Sequence, residues 1–109
     1  MKQKITPSEK KFYEKVMEEA MVDCKDENEV AVGWEITLDE NIPAPCNCTI
    51  GKEKVVLEKI SLSDNGNSII GIIKLNKTKM RVLIQDITLD NPKAMQYINA
   101  YKYWCKNGW

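Results

Sequence analysis

The chain contains no histidine. That excludes a Ser-His-Asp triad, a Cys-His dyad, a His-Cys zinc site and imidazole acid–base work, and with them most common hydrolase mechanisms. Arg81 is the single arginine, and 16 basic residues are matched by 16 acidic ones. The excess positive charge that drives nucleic-acid binding is therefore missing. Long apolar runs are missing too. The most apolar stretch, Ile69-Ile70-Gly71-Ile72-Ile73, is far too short to span a bilayer, and the first 20 residues do not read as a secretory signal. The expectation is a cytoplasmic protein with no membrane partner and no nucleic acid. Cys24, Cys46, Cys48 and Cys105 include no Cys-x-x-Cys pair. In a reducing compartment they read as free thiols packed in or near the core. Cys46 and Cys48 would share one face if their segment is extended, which leaves a metal reading open.

What is present is ordinary in bulk. The 109 residues are 43% hydrophobic and 29% charged, which fits one globular domain over residues 1–109. The neutral total is an average over an uneven chain. From Glu18 to Glu40 there are nine acids and one base, Lys25, a net −8, and the remainder carries +8.

Thr6-Pro7-Ser8-Glu9 is a strong helix start, with threonine as cap and glutamate reaching back to its N–H. Phe12, Val16, Ala20 and Tyr13, Met17, Met21 then recur at helical spacing. Glu29–Leu38 reads two ways. Val30, Val32, Trp34, Ile36 and Leu38 alternate as in a strand, while Val30, Trp34 and Leu38 alone form a helical stripe that Asp26 and Glu29 could cap. After Pro43-Ala44-Pro45 the chain reads as β structure. Ala44–Ile50 is a short strand; Val55–Leu62 follows with Val56, Ile60 and Leu62 on one face. Asp64-Asn65-Gly66-Asn67 turns into a strand over Ser68–Leu75, and Asn76-Lys77-Thr78 turns into Lys79–Ile84. Four or five short strands at this spacing suggest a small barrel or curled meander. Asp90-Asn91-Pro92 then opens a last helix carrying Ala94, Ile98, Tyr101 and Cys105 on one stripe.

The acidic segment is the leading candidate site. Calcium wants six to eight oxygen ligands, and a cation relieves the repulsion among clustered carboxylates. Asp23, Asp26, Glu27 and Glu29 form one group; Asp39 and Glu40, with Asn41, form a second. On one helix the two groups would stand about 15–20 Å apart, too far for one ion to bridge. Further oxygens could come from Asp86, Asp90 or loop carbonyls. The EF-hand pattern does not apply, because a loop starting at Asp26 has Val30 and Ala31 where it needs a ligand and a glycine. The plain alternative is a solvated acidic face. Lys52, Lys54, Lys59, Lys74, Lys77, Lys79 and Arg81 could line the β part, but Ala44–Ile84 has no aromatic on which a base could stack. Tyr97, Tyr101, Tyr103 and Trp104 read as core packing with one wet edge.

The order of these features resembles the CcbP-type calcium-binding proteins. The resemblance begins at Val22-Asp23-Cys24-Lys25-Asp26-Glu27-Asn28-Glu29. It continues through Ala31-Val32-Gly33-Trp34 and Leu38-Asp39-Glu40-Asn41 to Pro43-Ala44-Pro45-Cys46. It closes with Ala94, Ala100-Tyr101-Lys102-Tyr103-Trp104 and Gly108-Trp109. It implies an α+β fold: a small SH3-like β-barrel of about five short antiparallel strands (residues 43–89), two N-terminal helices (residues 1–42) and a C-terminal helix (residues 90–109). It also implies that Asp26–Asn41 is mostly helical. Carried over by position, Asp39 and Glu40 are the first metal ligands, supported by Asp23, Asp26, Glu27 and Glu29. The function implied is a non-enzymatic calcium buffer or sensor. The alternative is a protein-interaction module on the same barrel, without metal, whose electronegative surface meets a basic protein partner.

Overall fold

The computed structural model describes residues 6–22, 27–66 and 68–107, apart from the side chains at 27, 28 and 107. Three helices and five strands follow in the order α1 (Pro7–Met21), α2 (Glu27–Asn41), β1 (Cys46–Ile50), β2 (Glu53–Leu62), β3 (Ile69–Leu75), β4 (Thr78–Leu83), β5 (Thr88–Leu89) and α3 (Pro92–Asn107). A short 3-10 turn over Ile84–Asp86 joins β4 to β5. The α+β class is as expected. The sheet runs β4-β3-β2-β1-β5, antiparallel throughout, with β4 and β5 at its two edges. It is therefore an open sheet and not a closed barrel.

Local chemistry accounts for the element ends. The Glu9 N–H donates to Thr6 Oγ1 at 3.1 Å, and the Thr6 N–H donates to Glu9 Oε1 at 3.0 Å, a reciprocal capping box at α1. Asn91 caps α3, its Oδ1 accepting from the N–H groups of Lys93 (2.9 Å) and Ala94 (3.2 Å). Gly66, at φ +74°, takes the left-handed position in the β2–β3 turn.

Strand β2 departs from the sequence expectation. Val56, Ile60 and Leu62 do not share one buried face. The pairing register with β3 shifts between Leu57 and Lys59, so one extra residue changes the parity of the strand. Val55 and Leu57 are buried before the bulge and Ile60 after it, while Val56 is only half-buried.

The core lies between the sheet and the helices. Tyr13, Val16 and Ala20 from α1 meet Val30, Trp34 and Leu38 from α2, and Ala94, Ile98 and Tyr101 from α3, over Leu57, Ile69 and Ile73 of the sheet. The strand-like alternation of α2 now has an explanation. Val30, Trp34 and Leu38 are the buried stripe of a helix, whereas Val32 and Ile36 lie on its outer side and remain exposed.

Candidate metal site

The inner side of α2 is fixed by aromatic packing. Trp34 is fully buried, with the ring of Tyr101 at 5.3 Å edge-on and that of Trp104 at 5.9 Å. Its indole N–H has no hydrogen-bond partner among the described residues. Leu38 and Ile42 are buried further along, so the C-terminal turn is anchored on the core side. The other side of that turn faces solvent and carries Asp39 and Glu40.

This turn leaves several oxygens without their usual partners among the described residues. Among the described residues neither Asp39 nor Glu40 is paired with a lysine or arginine, and α2 has no base in its last turn. The backbone carbonyls follow the same pattern. A helical carbonyl accepts from the N–H four residues on. For Asp39 that residue is Pro43, which has no N–H. For Glu40 it is Ala44, whose N–H donates instead to the Ile42 carbonyl at 2.8 Å. The Thr37 carbonyl is taken by the Asn41 side-chain amide (2.8 Å) and that of Leu38 by the Ile42 N–H (2.9 Å). Two carboxylates thus stand beside carbonyls deprived of their usual donors, at the negative end of a helix dipole. Hard oxygen donors of this kind suit calcium.

The remaining expected ligands are not gathered here. Glu29 is exposed near the start of α2, ten residues before Asp39 and so about 15 Å away along the axis. Glu27 is the first residue of the helix, with its side chain outside the description; Asp23 and Asp26 lie outside the described residues. No group of three or more cysteine or carboxylate side chains close enough to hold a metal occurs among the described residues. Neither Asp86 nor Asp90 therefore completes such a set with Asp39 and Glu40. The same finding leaves Cys46 and Cys48 without a third metal ligand.

Among the described residues, the three thiols are all shifted toward their protonated forms. Burial, reinforced by Cys46 and Asp90, pushes the Cys48 thiol up to about 11. Burial also raises Cys46 and Cys105. Tyr101 is raised mainly by burial, with the neighbouring Cys105 adding to the shift.

Sequence reasoning located the acids but missed the uncapped carbonyls. Their signal was Pro43 four residues after Asp39, a spacing that ends the helix and removes a donor together.

Comparison with known proteins agrees with the fold. The family model for CcbP-type calcium-binding proteins, described as calcium binding, matches residues 14–105. The crystal structure of Anabaena CcbP superposes with a TM-score of 0.74 at 18% identity, covering 94% of this chain and 93% of the other. A calcium-binding protein in its calcium-binding form superposes with a TM-score of 0.77 at 19% identity, covering 96% and 98%. No curated protein matches by sequence. The match over most of its length places this chain in the CcbP-type calcium-binding family.

Proposed function

We propose that the chain binds calcium at the C-terminal turn of α2 and acts as a non-enzymatic cytoplasmic buffer or sensor. The observation that carries the reading is the combination of Asp39 and Glu40 carboxylates, unpaired among the described residues, with carbonyls that Pro43 and Ala44 leave without their usual helical donors. These oxygens would supply part of the coordination shell, with water filling the rest. Glu29, Glu27, Asp23 and Asp26 would add to the electronegative surroundings that attract the ion. A non-catalytic role is supported by the missing histidine and by thiols and a tyrosine that burial keeps protonated. The same negative surface suits a basic protein partner.

Calcium titration by calorimetry and by tryptophan fluorescence tests this directly. Trp34 lies on the inner side of the same helix and should report the event. Asp39→Asn and Glu40→Gln should each weaken binding about tenfold, or about 1.4 kcal/mol, because affinity follows ligand charge. Glu18→Gln, on α1, should leave it unchanged. Absence of heat, and of any rise in melting temperature, at millimolar calcium would sink the proposal.

A further inference from the structure

The outer side of α2 carries more than acid. Val32 is 41% exposed and Ile36 is 52% exposed, one helical turn apart. Both are β-branched apolar residues for which the core has no place. Around them the helix offers Glu29, Glu35, Asp39 and Glu40, and it contains no lysine or arginine at all. From Glu29 to Glu40 this face runs about 16 Å, the length of a helical segment of about eleven residues.

From this arrangement we infer that the outer face of α2 is a docking surface for a cationic amphipathic segment of another protein. Val32 and Ile36 would pack against its apolar stripe, and its lysines or arginines would meet the acids at both ends. Charge complementarity selects the occupant. An anionic lipid surface is repelled by this face. A second copy of the chain fits less well. Its exposed Met80 and Leu83 lie on β4 beside Lys79 and Arg81, but Lys79 is already paired with Glu58 at 3.1 Å and Arg81 with Asp64 at 2.8 Å. The inference rests on the reading that the electronegative surface meets a basic partner, and it does not require calcium.

The probe is a labelled 14-residue helical peptide of lysine and leucine with leucines at i, i+3 and i+4 spacing. Its binding is followed by fluorescence anisotropy in low salt with chelator present. Binding should weaken at least tenfold in the double variant Val32→Ser, Ile36→Ser. The thermal melt of that variant should match the parent's, since both sites are on the surface. A scrambled peptide of equal charge should bind at least tenfold more weakly. If the double variant binds as well as the parent, or the scrambled peptide as well as the patterned one, the docking face is overturned while the basic-partner reading stands. If no cationic peptide binds, both fall. Sedimentation showing a dimer that the double variant abolishes would assign the face to a second copy and overturn the inference.

Discussion

Gly71 shows how little room the core leaves. A Cβ placed there would sit 2.5 Å from Ile87 Cδ1 and 2.8 Å from Leu57 Cδ1, both on fully buried side chains. Gly71→Ala should therefore destabilise the fold by about 1–3 kcal/mol, measured by urea unfolding, with the helical circular dichroism signal retained. Cys48 makes a second residue-scale case. Its thiol titrates near 9 in the unfolded chain and at about 11 in the fold. The fold thus favours the protonated form, so its contribution is complete below pH 9 and is lost as pH rises toward 11. Unfolding midpoints measured from pH 8 to 11 should decline less steeply in Cys48→Ala than in the parent. Parallel declines in the two proteins would contradict this. Groups common to the two proteins cancel in the comparison.

At the scale of elements, caps and turns were legible because their chemistry is local. Thr6 and Glu9, Asn91 and Pro92, and Gly66 each act within a few residues. Asn91→Ala removes both hydrogen bonds at the start of α3 and should cost about 1 kcal/mol, seen as a lower melting temperature. Two elements resisted sequence reading for physical reasons. The β2 bulge is a property of pairing with β3, so no pattern within Val55–Leu62 announces the change of parity. Helix α2 alternates because Val32 and Ile36 stayed apolar on the wet side. Period alone could not separate that from a strand, and the family resemblance settled it.

For the whole molecule, the zero net charge conceals the arrangement that matters. The acidic residues of α2 project from a helix whose opposite side is core, and several bases lie on the sheet, where Lys79 and Arg81 are held by Glu58 and Asp64. The existence of an acidic candidate site could be read from the sequence, as could Asp39 and Glu40 as neighbours. Which carbonyls join them could not, because that depends on where Ala44 sends its N–H. Nor could the sequence show that the sheet stays open, since closure depends on whether β4 and β5 meet.

The packing of α1 against α3 has a consequence for how the chain comes into being. Phe12 meets Tyr97 at 5.4 Å between ring centres, and Tyr13 meets Tyr103 at 5.5 Å. The first helix therefore finds its aromatic partners in the last. During synthesis α1 can meet α2 as soon as that helix emerges, but the Phe12 and Tyr13 side of its apolar face stays uncovered until α3 has left the ribosome. Folding to completion is thus a late, long-range event, and chains cut short before α3 offer that face to chaperones or to one another.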